Sequence, residues 1–181
     1  NEAKILNKVG LPCFVKPTDG GSSYGVTKVK AKEELNNAIT TAFKYGSEVI
    51  VEANIVGREV TNGVYRNAEG IKTFPVTEII SENEFFDYEA KYNGKSDEVT
   101  PAELADEMTQ QIKKLTYYIY DVLGMNGIAR MDYIINNNGI PFLIEINSVP
   151  GMSKESIIPQ MVKVAGINLK EIIENDTRIV I

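Results

Sequence analysis

The sequence predicts an α+β protein, and three observations carry that prediction. Short apolar runs punctuated by Gly, Pro and Asn recur between residues 13 and 80 and read as strands. Two other stretches, 32–45 and 101–123, repeat apolar residues every three or four positions, the period of a helix packed on one face. Near residue 138 an Asn-Gly pair separates two apolar runs, a strong hairpin signal, because a tight turn there needs residues that tolerate positive φ.

Composition narrows the function classes. With 181 residues, 43% apolar and 24% charged, the chain can bury the core of one domain or of two small ones. A net charge of −6 argues against a nucleic-acid partner, which wants a basic surface. No stretch is long enough to span a membrane, and none reads as a signal peptide. His is absent, which excludes a Ser-His-Asp or Cys-His hydrolase and His-ligated zinc within this chain. The single Cys13 excludes an internal disulfide and fits a reducing compartment. Chemistry here must use Lys, Arg, carboxylates, backbone N–H groups and metal. The chain opens on Asn1 rather than Met and is expected to be a fragment.

Glu2 to Val9 reads as a short entering helix ended by Gly10. Cys13 to Lys16 reads as a strand stopped by Pro17, followed by a Gly/Ser loop over Thr18 to Gly25 and a returning strand over Val26 to Lys30. Lys32 to Tyr45 places Leu35, Ala38, Ile39, Ala42 and Phe43 on one helical face, with Gly46 as its C-cap. Glu48 to Glu52 is a strand. Another runs from Gly57 to Tyr65, turns at Asn67 to Gly70 and returns over Ile71 to Ile80. Residues 82–100 have no sustained period and suit a lid or binding loop. Pro101 and Ala102 open a long helix whose stripe is Leu104, Met108, Ile112, Leu115, Ile119 and Leu123, ended by Gly124. A helix from about Glu155 to Ala165 follows the hairpin, then a shorter one capped near Asn168, with Asp176 to Ile181 as a tail. The expected division is a linker over 1–10, a small α+β unit over 11–80 and a second unit over 81–181.

A two-residue turn at Asn138-Gly139 sets Asn137 opposite Ile140, Asp132 opposite Glu145 and Arg130 opposite Asn147. Arg130, Asp132, Glu145 and Asn147 then share one face. Two opposed carboxylates repel, and a bound cation would relieve them; oxygen ligands suit a hard ion such as Mg²⁺. The other reading is a surface hairpin face with paired charges. The loop at Gly20 to Gly25 lacks the Lys of a Walker motif, yet its Gly and Ser residues beside Lys16 can cradle a phosphate. Taken alone, the loop is also a surface hairpin, Lys16 a solvent-facing strand residue, and Glu52 and Glu59 solvated carboxylates. Tyr88 to Tyr92 is either a polar aromatic surface segment or a lid whose Lys91 reaches a phosphate.

These motifs, in order, resemble the D-alanine–D-alanine ligase family: Cys13-Phe14-Val15-Lys16-Pro17, Gly21-Ser22-Ser23-Tyr24-Gly25-Val26, Val51-Glu52, Gly57-Arg58-Glu59, Phe86-Asp87-Tyr88-Glu89-Ala90-Lys91-Tyr92, Pro101-Ala102, Gly127-Ile128-Ala129-Arg130-Met131-Asp132 and Glu145-Ile146-Asn147-Ser148-Val149-Pro150-Gly151-Met152-Ser153. The resemblance implies an ATP-grasp fold, with ATP between two α+β subdomains, and ligation of two D-alanines through an acyl phosphate for peptidoglycan synthesis in the bacterial cytoplasm. It implies that Lys16, Lys91, Ser22 and Ser23 meet the ATP phosphates, that Glu52, Ala53 and Ile55 lie along the adenine, and that Glu59 meets the ribose. Asp132, Glu145 and Asn147 would hold two Mg²⁺ ions, with Mn²⁺ as an alternative. Arg130 and the Gly151 N–H would stabilise the oxyanion, with Lys91 also catalytic. Tyr88, Tyr92, Ser156 and Ile157 would line the substrate site, Ser156 binding the second D-alanine's carboxylate. Tyr92 resembles the loop Tyr of the family's dipeptide-forming members, which implies an amine over a hydroxy-acid acceptor; D-alanine–D-lactate ligation and other carboxylate–amine ligations are the alternatives. Glu155 departs from the family pattern. The family's N-terminal domain, which completes the first D-alanine site, lies outside this sequence. The resemblance implies a homodimer for the full-length enzyme, and residues 1–181 alone are expected to bind MgATP weakly without ligating.

Overall fold

The computed structural model describes residues 2–19, 23–81 and 96–177, which fall into two compact α+β units. The first covers residues up to Ile55. It contains α1 (Glu2–Val9), β1 (Cys13–Pro17), β2 (Thr27–Val29), α2 (Leu35–Ala42) and β3 (Val49–Ala53). Its sheet has the order β2-β1-β3, with both neighbours antiparallel to β1. Strand alternation in β1 buries Cys13, Val15 and Pro17 and leaves Phe14 and Lys16 on the opposite face. The buried set packs with Val29, Leu35, Ala38 and Ala42, so α2 covers one side of the sheet.

The helix expected over Lys32 to Tyr45 is shorter. A 3₁₀ turn at Lys32–Glu34 precedes it, and Phe43, though in phase with the apolar stripe, is exposed. The Glu34 carboxylate accepts hydrogen bonds from the Lys30 and Ala31 backbone N–H groups at 2.7 and 3.2 Å. Those bonds lower its pKa below the ordinary 4.5. A lowered carboxylate stabilises the fold fully above its unfolded pKa and loses that effect as pH falls through the folded value. Glu34→Gln is therefore expected to lower the melting temperature at pH 7, with the difference shrinking as pH falls below the ordinary 4.5; a gap that does not shrink in acid counts against this role. Gly46 is not a C-cap. A Cβ there would lie 2.2 Å from Asp19 Oδ1 and 2.7 Å from Pro17 Cβ, so glycine lets the chain pass close to the end of β1.

The second unit comprises Val56–Ile80 and Ser96–Ile181. Its elements are β4 (Gly57–Asn67), β5 (Gly70–Ser81), β6 (Ser96–Val99), α3 (Asp106–Val122), β7 (Ala129–Asn136), β8 (Pro141–Asn147), α4 (Ile157–Val164) and α5 (Leu169–Thr177). Strand order is β6-β5-β4-β7-β8. This differs from the division expected at residue 80, because β4 pairs with β7 from Gly57 to Val64 and carries 57–80 into the second unit's sheet. Residues 96–99, expected within a structureless loop, form the edge strand beside β5.

Under one face of this sheet Val60, Val64, Val76, Met131, Tyr133 and Ile135 pack with Ile112 and Tyr120 of α3. Ile112, Thr116 and Tyr120, four apart, form the buried centre of that helix, while Leu123 is 58% exposed and lies outside the stripe. Burial pushes the Tyr133 phenol up to about 12, and its hydroxyl bonds Thr116 Oγ1 at 2.9 Å. The helix begins at Asp106, not at Pro101, because the preceding backbone has other partners. The Ala102 N–H donates to Val76 O at 2.8 Å, and the Arg58 guanidinium donates to Glu103 O at 2.7 Å while also holding Glu78. Gly124 ends the helix at φ +59°. The last helix is capped by Asn168 Oδ1, which accepts from Lys170 N, and it runs through Asp176 to Thr177, into the expected tail. No helix of the described residues is long and apolar enough to cross a membrane.

Candidate functional site

The β7–β8 hairpin builds the site, by a route different from the one expected. The turn is a three-residue loop, Asn137-Asn138-Gly139, closed by Asn136 N to Ile140 O at 3.0 Å. Asn136 Oδ1 accepts the N–H groups of Asn138 and Ile140 at 3.0 and 2.9 Å, and of this loop only Gly139 has positive φ, at +74°. That side-chain capture selects the longer turn over a type I′ turn. Pairing therefore starts one residue out of the expected register, with Ile135 opposite Pro141 and Tyr133 opposite Leu143. A bulge at Ile144 takes up the difference, so that Asp132 faces Glu145 and Arg130 faces Asn147, as expected.

Around Asp132 four hydrogen bonds converge. Arg130 Nε donates to Oδ1 at 2.9 Å and Nη2 to Oδ2 at 2.8 Å. Asn147 Nδ2 donates to Oδ2 at 2.9 Å, and Thr61 Oγ1 to Oδ1 at 2.6 Å. A carboxylate offers about four lone-pair positions, so Asp132 is fully subscribed. The opposed-carboxylate argument thus needs correcting: Arg130 already supplies a counter-cation to Asp132. Burial alone would lower the Arg130 pKa. Its hydrogen bonds to Asp132, with the charges of Asp132, Glu145 and Glu98, outweigh burial and hold it above the usual value.

Among the described residues no group of three His, Cys, Asp or Glu side chains could hold a metal. That does not disfavour Mg²⁺, which is usually bound through one or two carboxylates together with substrate phosphates and not in an all-protein cage. Asp132 and Glu145, with the Oδ1 of an Asn147 whose Nδ2 is engaged, are hard oxygen donors on adjoining strands and fit that pattern.

Following β8, the Ser156 backbone N–H donates to Ser153 O at 2.9 Å, and their hydroxyls lie 2.8 Å apart. Ser156 is the N-cap of α4, yet its hydroxyl makes no capping bond and is directed to Ser153 instead. A Cβ on Gly151 would come within 2.8 Å of Ser156 Oγ, so the structure brings these two predicted residues together. Ile157 is 6% exposed and buried in the unit.

In the first unit Lys16 Nζ meets Glu52 Oε2 at 2.7 Å, on the sheet face away from the core. Ala53 is exposed at the end of β3 and Ile55 is half-buried beyond it. Ser23 has φ +60°, uncommon for a residue with a side chain, in the loop before β2. Gly25 follows at φ +74°, and a Cβ there would strike Tyr45 at 2.8 Å. Half-buried Glu59 lies on β4 and belongs to the second unit, whereas Glu52, Ala53 and Ile55 belong to the first. Ser22, Tyr88, Lys91 and Tyr92, with residues 82–95 of the expected lid, lie outside the described residues.

Sequence reasoning missed three residues. Thr61 lies directly opposite Asp132 on β4, a pairing that only the sheet reveals. Glu98 acts on Arg130, and Gln160 Nε2 donates to both Glu98 Oε2 and Glu155 O. Thr61 does share the strand phase of Glu59, which was the available signal. A groove of about 690 Å³ along α3, lined by Asp106, Gln110, Lys114 and Tyr118 among others, contains none of the predicted residues. Its lining among the described residues comes from one helix, whereas four polar side chains from three strands meet around Asp132, so the hairpin face is the stronger candidate site.

The chain is similar to known proteins over most of its length. A family model described as "D-ala D-ala ligase C-terminus" matches residues 1–176. The chain is 49% identical over 171 residues to a D-alanine–D-alanine ligase of Phocaeicola vulgatus, covering 94% of this chain and 53% of that one. It is 50% identical to that of Parabacteroides distasonis, covering 52% of it. The chain thus spans about half the length of the relatives it matches. Among solved structures, the VanG D-Ala:D-Ser ligase from Enterococcus faecalis superposes with TM-score 0.85 at 34% identity, over 99% of this chain and 52% of that one. A D-alanine–D-alanine ligase from Bacillus anthracis complexed with ATP gives TM-score 0.79 at 32% identity, over 96% and 55%.

Proposed function

The chain belongs to the D-alanine–D-alanine ligase family, with its ATP-grasp α+β fold, and from that premise we propose that it carries the nucleotide- and metal-binding part of an enzyme joining two D-alanines with ATP. The supporting observation is the face on which Arg130, Asp132, Glu145 and Asn147 meet by register and hydrogen bonding. In this reading Asp132, Glu145 and Asn147 hold two Mg²⁺ ions, or Mn²⁺ in their place. When bound, the metal neutralises phosphate charge and polarises the transferring phosphoryl group. Lys16, Ser22, Ser23 and Lys91 bind ATP phosphates, Glu52, Ala53 and Ile55 line the adenine, and Glu59 meets the ribose.

ATP phosphorylates the first D-alanine's carboxylate and leaves as ADP; the second D-alanine's neutral amine attacks the acyl carbon, and the C–O bond to phosphate breaks, releasing inorganic phosphate and a proton with the dipeptide. Arg130, positively charged at any working pH, and the Gly151 N–H face the oxyanion that develops, with Lys91 beside the transferring phosphoryl group. Ser156 holds the acceptor carboxylate, near Tyr88, Tyr92 and Ile157. The remainder of the first D-alanine site comes from an N-terminal domain, and the full-length enzyme is a cytoplasmic homodimer serving peptidoglycan synthesis.

The test is phosphate release by the full-length protein with MgATP and a panel of D-alanine, D-serine and D-lactate. D-alanine is expected to give the highest rate. D-serine belongs in the panel because the superposed VanG enzyme is a D-Ala:D-Ser ligase. Absence of D-alanine-dependent turnover overturns the proposal. A higher rate with D-lactate moves the assignment to the depsipeptide alternative.

A further inference from the structure

Building on the metal reading above, we propose that Thr61 is a positioning residue that fixes the Asp132 carboxylate for a divalent ion. Thr61 is 0% exposed, and its Cα is registered directly against Asp132 on the neighbouring strand. Its Oγ1 lies 2.6 Å from Asp132 Oδ1 and 3.2 Å from Met131 O. One hydroxyl proton can serve one acceptor well. The shorter distance, in the range of charge-assisted O–H···O⁻ bonds, assigns it to the carboxylate.

All four lone-pair positions of Asp132 are taken, so an ion can bind only if a donor withdraws. The four donors differ in freedom. The Arg130 side chain is 17% exposed on three rotatable carbons, and Asn147 is half-buried on the edge strand β8; both can move aside. Thr61 cannot. It is β-branched, confined at χ1, enclosed, and held in the sheet's central strand. Thr61 therefore stays on Oδ1 while Arg130 or Asn147 yields, and it keeps the carboxylate plane fixed during that exchange. Without the hydroxyl, Asp132 can pivot wholly onto Arg130, and the ion loses a preset ligand. Partners that orient a metal ligand in this way typically account for about 10–100-fold in metal affinity.

The test is Mn²⁺ binding to the full-length protein with ADP present, followed by electron paramagnetic resonance without turnover. Thr61→Val is isosteric and lacks the hydroxyl; Thr61→Ser keeps it. The valine variant is expected to bind Mn²⁺ at least about 10-fold more weakly, and the serine variant within about threefold of wild type. Thr61→Ala is read in the same way should the valine variant not fold. An affinity in the hydroxyl-free variants within twofold of wild type overturns the proposal, even if their melting temperatures fall. An equal loss in Thr61→Ser also overturns it, because the hydroxyl is then not the determinant. Asp132→Asn separates the two levels. If it weakens Mn²⁺ binding while the hydroxyl-free variants do not, only the role of Thr61 fails; if it does not, the metal site fails with it.

Discussion

Asp132→Asn is expected to reduce the D-alanine-dependent turnover proposed for the full-length protein by about 10²–10³-fold or more while the protein remains folded. Asparagine keeps the shape but removes the charge and turns one acceptor into a donor, which then confronts the N–H groups now pointing at it. Arg130, whose side chain is 17% exposed, loses its only partner within this four-residue cluster other than the more distant charge of Glu145. Breaking a buried ion pair from one side costs about 3–5 kcal/mol, and the partial exposure here reduces that to roughly 1–3 kcal/mol. Phosphate release and a urea melt on the same preparation check both figures. Turnover within tenfold of wild type removes Asp132 from the metal role. A loss of turnover with complete unfolding leaves Asp132 a structural residue only.

Gly63→Ala is expected to cost about 1–3 kcal/mol of stability and to raise KM for D-alanine more than KM for ATP. Gly63 pairs with Arg130 across β4 and β7, and the added Cβ would lie 2.6 Å from both Ile158 Cδ1 and Phe74 Cδ2, and 3.1 Å from Met161 Sδ. The isoleucine tip and the methionine can yield. Phe74 cannot, being 1% exposed and stacked on Tyr65 with ring centres 4.9 Å apart. Relief must come from α4, which carries Ile158 and Met161 and whose N-cap is Ser156. Lifting the helix moves the proposed acceptor-carboxylate site while leaving the first unit untouched. A thermal melt and steady-state rates with each substrate varied provide the check. Unchanged stability and unchanged KM for D-alanine show that α4 is not seated on Gly63.

What the sequence makes legible follows from the range of the interactions involved. The β1 strand at Cys13 to Lys16, the α3 stripe through Met108, Ile112, Leu115 and Ile119 and the presence of a turn at Asn138-Gly139 are decided by neighbours a few residues away, and they are readable. Non-local partners are not. The start of α3 depends on Val76 O accepting from Ala102, and the unit boundary depends on β4 choosing β7. Thr61 reaches Asp132 only through that second choice. Asp132 faces Glu145, and Arg130 faces Asn147, although the turn is longer than a two-residue Asn-Gly tip. The expected tip was one residue too short and the expected ladder unbroken, and the two offsets cancelled at Asp132. Lys16 and Glu52, both expected to meet ATP, engage one another in the structure, a pairing that only the β1–β3 register reveals and that a phosphate or adenine has to compete with.

The bulge at Ile144 has a consequence for how this family can vary. Counting along the ladder, a chain lacking Ile144 could run unbroken from Ile135 opposite Pro141 to Arg130 opposite Asn147 with every site partner unchanged. Inserting or deleting one residue between the tip and Glu145 is therefore absorbed as a bulge gained or lost, because the carboxylates are aligned from the far end of the hairpin. The tip and the site are adjustable independently. Residues 137–139 are expected to be exchangeable for other loops, or usable to carry an attached probe, without resetting the pairing of Asp132 with Glu145, so a one-residue change in tip length would not by itself signal altered chemistry.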